Sequence, residues 1–391
     1  MRTQPYLARF PNRCERQRFQ EKLNCDFYIN VLMGSPYSSQ IKGLANLVEG
    51  KISERGLKIK FDKKLFFAAA GMCIYGHRNQ IRKSGRLYAE HPILVVERLI
   101  ELLHVCDPNE LIAGFLHDLV EDTQHDYRSS KNITVGDIEA IFGRDAARIV
   151  DGLTKLKQLG KNKWIDERNI NKFVKALQQD VRVLRIKMVD RGCNLEDSEF
   201  TSRESRHRNA TEALDLYVPL GVLAGFMKVA RNLADVALKV LNLERYQEIQ
   251  NYIARVASSS FSYEIARMKE AIEKRALKKN LDGPITVLSK SRTAYELAQI
   301  AELRGEDSWQ PHDVLMIQVI TQSEADCYRM LGVIQDLGEH PADKYWRDYI
   351  HDPKVNGYQS LHTAVWVNGI LVRFQIRSRE MQYIAQEGVL Y

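Results

Sequence analysis

The sequence predicts two domains of different class, an all-α domain followed by an α+β domain, and three observations carry that prediction. From Leu65 to about residue 275 apolar residues recur at helical spacing. Beyond that point the β-branched runs 314-VLMIQVIT-321 and 364-AVWVNGILVRFQI-376 have strand character. Between the two regimes a charge-rich helix, 269-KEAIEKRALKKNLDG-283, runs into the breaker Gly283-Pro284 and reads as an exposed connector. The predicted organisation is an N-terminal extension over 1–55, a helical domain over 56–225, a helical connector over 226–280 and an α+β domain over 281–391. A chain of 391 residues can bury a core in each domain without disulfides or structural metals.

Taken in order, residues 1–55 show no strong periodicity; Pro11 and the turn-like Gly34-Ser35-Pro36 interrupt any long helix, and no function attaches to the segment. The clearest helices are 92-PILVVERLIELL-103, 111-LIAGFLHDLV-120, 137-DIEAIFGRDAARIVDGL-153 and 170-INKFVKALQQDVRVLRIKMV-189. Asp107-Pro108 marks one helix start and Thr134 another, with Gly143 closing a turn. In the last domain Asn368-Gly369 marks a hairpin between two strands.

Composition narrows the function classes. With 45% hydrophobic and 27% charged residues the chain is an ordered globular protein. Its six cysteines are scattered with no CxxC pair, which argues against a thiolate zinc site and fits reduced thiols in the cytoplasm. The longest apolar stretch, Leu65 to Tyr75, is too short to cross a bilayer, and the N-terminus lacks the apolar region of a secretory signal. No membrane contact is therefore expected. A net charge of +7 suits an anionic substrate; no nucleic-acid contact is predicted, and the sequence sets no oligomeric state.

The chemistry concentrates in 116-LHDLVEDT-123, where His117 and Glu121, and Asp118 and Asp122, are four residues apart. On one continuous helix that spacing brings an imidazole and three carboxylates to one side. Asp190, in 186-IKMVDRGCN-194, can complete a metal shell from a second helix, and His91 begins a third with its ring facing inward. Imidazole and carboxylate ligands suit a borderline cation such as Mn²⁺. Such a metal lowers the pKa of water, Glu121 and Asp122 orient or deprotonate that water, and Arg82 and Lys83 neutralise phosphate charge. A lone His-Asp pair is a weak signal and Glu121-Asp122 by itself reads equally as a solvated face, but the ordered set is far more specific.

These residues, together with 82-RKSGRLYAEHP-92, 151-DGLTKL-156 and 215-DLYVPLG-221, resemble the RelA/SpoT homologue family, long enzymes that make and degrade (p)ppGpp. The resemblance runs from about residue 65 to the end of the sequence and implies an HD-domain hydrolase that uses Mn²⁺ to remove the 3′-pyrophosphate from guanosine tetra- or pentaphosphate. It implies His91, His117, Asp118 and Asp190 as metal ligands, Glu121 and Asp122 as catalytic, and Arg82, Lys83, Ser84 and Asn194 as substrate contacts. Where the family usually continues Asp-Arg-Leu-His-Asn-Met-Arg-Thr this chain has 190-DRGCNLED-197, so Cys193, Glu196 and Asp197 alter the expected nucleotide pocket.

The C-terminal domain resembles the family's nucleotidyltransferase-like synthetase through 347-RDYIHDPKVNGYQSLHT-363. Asp313 stands at the family's Mg²⁺-binding position, and Tyr358 at its guanine-stacking position. Yet Arg373 replaces a carboxylate of the family's catalytic site, Gln318 replaces an arginine expected to face the ATP base, and the basic Gly-Arg-x-Lys stretch becomes 289-SKSR-292. Arginine stays protonated and repels a metal. The expectation is a (p)ppGpp hydrolase with a catalytically inactive synthetase-like domain of regulatory or structural role, sensing a guanine nucleotide through Asp313, Tyr358 and His362. The alternatives are an HD phosphohydrolase of another nucleotide, suggested by 193-CNLED-197, and a non-catalytic nucleotide-binding regulator.

Overall fold

The computed structural model describes residues 24–122, 133–160, 180–306, 308–341 and 345–387, without the side chains of residues 122, 155–160 and 387. It divides into two compact units, Met1–Thr201 and Ser202–Tyr391.

Apart from an isolated bridge between Ile81 and Leu87, the regular elements among the described residues of the first unit are helices. Helices α1 (Cys25–Met33) and α2 (Ser38–Glu54) flank the predicted turn at Gly34. They correct the reading of residues 1–55 as lacking periodicity: Ile41, Leu44, Ala45 and Val48 form a buried stripe at helical spacing, and Tyr28 and Leu32 are wholly buried. α3 (Lys63–Gly76) starts on Asp62, whose carboxylate accepts from the N–H groups of Lys64 and Leu65. A Cβ on Gly71 would sit 1.8 Å from the Tyr28 carbonyl oxygen, so α1 and α3 touch backbone to backbone.

α4 (Glu90–Glu101) follows the basic turn around Arg82, Lys83 and Gly85. α5 (Pro108–Leu116) begins as predicted, with Asp107 capping and Pro108 in the first turn, where a missing N–H costs nothing. The short α6 is Leu119–Asp122. α7 (Val135–Phe142) starts in a reciprocal capping box between Thr134 and Asp137 and stops at Gly143, whose φ of 90° favours glycine. α8 spans Arg144–Gly160.

α9 (Arg182–Glu196) is buried on nearly every side, charged residues included. Its core position forces each charge to be paired, and Arg185 accordingly forks onto Glu110 of α5, with one bond of 2.7 Å. Of the predicted helix over 170–189 only 180–189 falls among the described residues.

The second unit opens with α10 (Arg203–Glu212), a π-helical turn (Ala213–Tyr217), α11 (Val218–Leu223), α12 (Met227–Leu241), α13 (Leu243–Ala257) and α14 (Ser260–Ala276). The helix read as an exposed connector is not one. Phe261, Ile265, Met268, Ile272 and Ala276 of α14 form one stripe and enter the same core as Ile317, Val319, Val372 and Phe374 of the sheet. The charges that dominate its sequence occupy the opposite face.

That sheet is built from β1 (Thr286–Ser291), β2 (Leu315–Thr321), β3 (Arg347–Asp348), β4 (Leu361–Val367) and β5 (Ile370–Ser378). Helices α15 (Ala294–Arg304), α16 (Pro311–Val314), α17 (Glu324–Gln335) and α18 (Arg379–Glu387) accompany it. Strand order is β1-β2-β5-β4-β3, with β2 and β5 parallel and the other pairs antiparallel. The predicted hairpin is present: Val367 pairs with Ile370 across Asn368 and Gly369, both at positive φ.

Candidate metal centre

Four side chains converge in the first unit. His91 comes from the first turn of α4, His117 and Asp118 from the turn between α5 and α6, and Asp190 from α9. All are buried, and one ligand atom of each lies within 4.8 Å of the others. His91 Nε2 is 2.9 Å from Asp190 Oδ1, and His117 Nε2 is 3.2 Å from Asp118 Oδ2. The longer edges are 3.7 Å from His117 Nε2 to Asp190 Oδ1 and 4.0 Å from His91 Nε2 to Asp118 Oδ2.

The local backbone differs from the sequence expectation. A continuous helix through 116–123 would send consecutive side chains about 100° apart. Instead α5 ends at Leu116, and the two-residue turn lets His117 and Asp118 face the same point. The turn is held from within, because His117 Nδ1 lies 2.8 Å from the Gly114 carbonyl oxygen. A carbonyl only accepts, so Nδ1 carries the hydrogen and Nε2 is directed at the carboxylates.

Neighbouring groups orient the acids. Lys187 Nζ donates to Asp190 Oδ2 at 2.7 Å, and Asn194 Nδ2 donates to Asp190 Oδ1 at 2.6 Å. Tyr88 donates its hydroxyl to Asp118 Oδ2 at 3.0 Å while its ring stacks on His77, centroids 4.6 Å apart. Burial disfavours an imidazolium at His117, but the Asp118 and Asp190 carboxylates win and push it up to about 10. Burial would raise Asp190; the Lys187 ammonium and the two imidazoles hold it well below the usual carboxylate range. The centre therefore demands a positive charge between its donor atoms, and two imidazoles with two carboxylates fit a borderline divalent cation.

Of the other predicted site residues, Glu121 is 7% exposed on α6, and the Asp122 side chain lies outside the described residues. Arg82 Nη2 donates to Asn194 Oδ1 at 2.8 Å, which ties the basic turn to the Asp190 helix. Ser84 Oγ is buried without a hydrogen-bond partner among the described residues, and Lys83 is exposed. Beside His91 a cleft of about 240 Å³ is lined by Tyr37, Arg82, Arg86, Glu90 and Asp197. Asp197, one of the residues that departs from the family pattern, holds Arg86 at 2.9 Å and Arg82 at 3.5 Å.

In the second unit Tyr358 and His362 do meet, hydroxyl to Nε2, at 2.8 Å, and Arg377 Nη2 donates to that hydroxyl at 3.1 Å. Asp313 is engaged elsewhere. Arg304 takes both of its oxygens, at 2.7 and 2.8 Å, and Arg373 Nη1 stands 4.0 Å from Oδ1. Gln318, at the position where an arginine was expected, bonds instead to Gln375 at 3.1 Å.

Two family models match the chain. The HD domain family matches residues 69–226, and the region found in RelA / SpoT proteins matches residues 289–390. The chain is a RelA/SpoT homologue with an HD domain. A GTP pyrophosphokinase of Streptomyces coelicolor is 33% identical over 92% of this RelA/SpoT homologue and 41% of its own length. A guanosine-3′,5′-bis(diphosphate) 3′-pyrophosphohydrolase of Borreliella burgdorferi is 32% identical over 87% of the chain and 49% of its own length. A protein of the same name from Aquifex aeolicus is 33% identical over 80% of the chain and 43% of its own length. This RelA/SpoT homologue thus spans less than half the length of these relatives. The HD match extends past the division at Thr201, to residue 226.

Sequence reasoning passed over Tyr88, Lys187 and Tyr37 as site residues of the RelA/SpoT homologue. Lys187 was findable, since a lysine three residues before Asp190 shares its helix face. Tyr37 was not: only packing brings its hydroxyl to Glu90, 3.3 Å away across 53 residues.

Proposed function

We propose that this RelA/SpoT homologue is a Mn²⁺-dependent phosphohydrolase that removes the 3′-pyrophosphate of guanosine tetra- or pentaphosphate, giving GDP or GTP and pyrophosphate. The observation that carries the reading is the buried set of His91, His117, Asp118 and Asp190 within 4.8 Å. In this reading the same four side chains hold the metal. A bound Mn²⁺ would supply Lewis-acid chemistry, lowering the pKa of water and neutralising phosphate charge.

The chain's own residues do the rest. Arg82, Lys83 and Ser84 bind and orient the phosphates, and Asn194, bonded to both Arg82 and Asp190, couples that grip to the centre. Glu121, shielded from solvent one turn after His117, accepts a proton from the attacking water, and Asp122 orients that water. As the bond between phosphorus and the ribose 3′ oxygen breaks, that oxygen takes up a proton and pyrophosphate leaves. The second unit does not synthesise the nucleotide in this reading, because Arg373 stands beside Asp313 where the family has a carboxylate.

A second reading, hydrolysis of a different phosphorylated nucleotide, draws on Asp197, whose grip on Arg82 and Arg86 puts a carboxylate in the cleft. The test is pyrophosphate release from guanosine tetraphosphate with Mn²⁺, by the wild type and by Asp118→Ala, beside a mixture of ATP and GDP. Metal-dependent release that disappears in the variant, with no tetraphosphate formed from the mixture, is expected. Absence of release would remove this substrate, and formation of the tetraphosphate would remove the inactive second unit.

A further inference from the structure

One face of the sheet in the second unit is apolar core; the other carries cations. Register places them. Lys290 pairs with Met316, Gln318 pairs with both Leu288 and Gln375, and His362 pairs with Gln375, so these residues share a face with Arg373 and Arg377. Behind it, Val319, Val372, Phe374 and Ile376 fill the core.

Among the described residues the cations on this face are poorly matched by carboxylates: only Arg373 has an ion pair with one, Asp313 at 4.0 Å. Arg377 is 2% exposed, yet among the described residues its Nη2 meets only neutral partners, the Tyr358 hydroxyl at 3.1 Å and Gln375 Oε1 at 2.6 Å, and its buried Nε has no hydrogen-bond partner. Lys290 is partly buried and its ammonium makes no hydrogen bond or ion pair among the described residues. Arg292 donates to the backbone oxygen of Asp313. The nearby acids are already committed: Glu296 pairs with Arg231 at 2.9 Å, and Arg304 takes both oxygens of Asp313. Burial and then mutual repulsion push Lys290 down to about 7 and Arg292 down to about 10. Buried charges without counter-ions are costly to the free protein, and that cost falls when an anion arrives.

The divalent cation that the fold family implies at Asp313 does not fit. A hard cation needs several free oxygen ligands, whereas here the carboxylate is spanned by one guanidinium and a second stands 4.0 Å away. We infer that the cation-bearing face of this sheet binds a polyphosphate group directly through Lys290, Arg292, Arg373 and Arg377, without a divalent metal. Arginine forks match phosphate oxygens bidentately, and the Tyr358 ring beside Arg377, with the cation 5.1 Å from its centroid, offers an edge for a base.

Calorimetric titration of the full chain with inorganic triphosphate, GDP and ATP, each in EDTA and in excess Mg²⁺, tests the inference. Binding in EDTA at least as tight as in Mg²⁺ is expected, because Mg²⁺ neutralises the charge the face recognises. Lys290→Ala is expected to weaken it by about 10–100-fold, the loss of one charge-assisted contact. Arg373→Glu is expected to abolish binding in EDTA and make it Mg²⁺-dependent, with circular dichroism confirming that the variant folds. Equal binding of triphosphate and nucleotides assigns a free polyphosphate; tighter binding of GDP or ATP assigns a nucleotide. The inference is overturned if wild-type binding requires Mg²⁺, if Lys290→Ala or folded Arg373→Glu binds as the wild type does, or if no probe binds. None of these outcomes depends on whether guanosine tetraphosphate is hydrolysed.

Discussion

Asp190 in the helical unit and Asp313 in the sheet unit are both buried, and each is gripped by a cation of its own chain, yet the grips have opposite consequences. Lys187 is a point charge and takes one oxygen of Asp190, so Oδ1 remains turned toward His91 and His117. Arg304 is a planar fork and takes both oxygens of Asp313. Burial alone would raise the Asp313 carboxyl, but Arg304 holds it below the usual range. A carboxylate gripped at one oxygen can be a ligand; one gripped at both is already neutralised. The first unit therefore asks for a cation and the second for an anion.

The contrast can be broken at several points. The largest effect is expected from Glu121→Gln, which removes the proton acceptor while leaving the four donors in place: turnover of guanosine tetraphosphate should fall by about 10²–10⁴-fold, with Mn²⁺ affinity nearly unchanged. A parallel loss of metal affinity would make Glu121 a ligand instead. Next comes Lys187→Met, which frees Asp190 Oδ2 and loosens the geometry; Mn²⁺ affinity should drop by about 10–100-fold in a metal titration. An unchanged affinity would show that Asn194 alone orients the acid.

The pH dependence of metal binding sharpens the same point. His117 is raised from 6.5 to about 10, so the metal-free protein carries a proton there at neutral pH, and that proton must leave when a cation binds. Mn²⁺ affinity measured calorimetrically between pH 6.5 and 8 should rise by about tenfold per pH unit; a flat profile would contradict the assignment. The linked stability has the opposite sign: the protonated His117 stabilises the metal-free fold fully below 6.5, and this contribution fades as pH rises through about 10. The smallest effect is expected from Arg304→Ala. Removing the partner of a wholly buried acid costs about 3–5 kcal/mol, but Arg304 is itself 38% exposed, so denaturant unfolding should show a loss nearer ~1–2 kcal/mol.

Much of this was legible in the sequence. Helix starts at Asp107-Pro108 and Thr134, and the hairpin at Asn368-Gly369, are local signals, because caps and turns involve residues a few positions apart. The four donors were legible too, as residue types in order, and the structure brings them together. The continuous helix through His117 and Asp118 was misread, since the spacing is helical while the Gly114 carbonyl draws the His117 ring out of register. The α14 stripe was overlooked because its many charges masked the five apolar residues among them.

By itself the sequence determined the order of fold classes, the family and the residue types of the centre, all of which rest on local pattern and residue order. Only the tertiary structure decided that Lys187 grips one oxygen of Asp190 while Arg304 grips both of Asp313, that Tyr37 reaches Glu90, and that Lys290 and Arg377 share a face with no carboxylate bonded to either among the described residues. Those facts depend on which side chains the fold brings together, across as many as 87 residues between Lys290 and Arg377, and chain order does not carry that information.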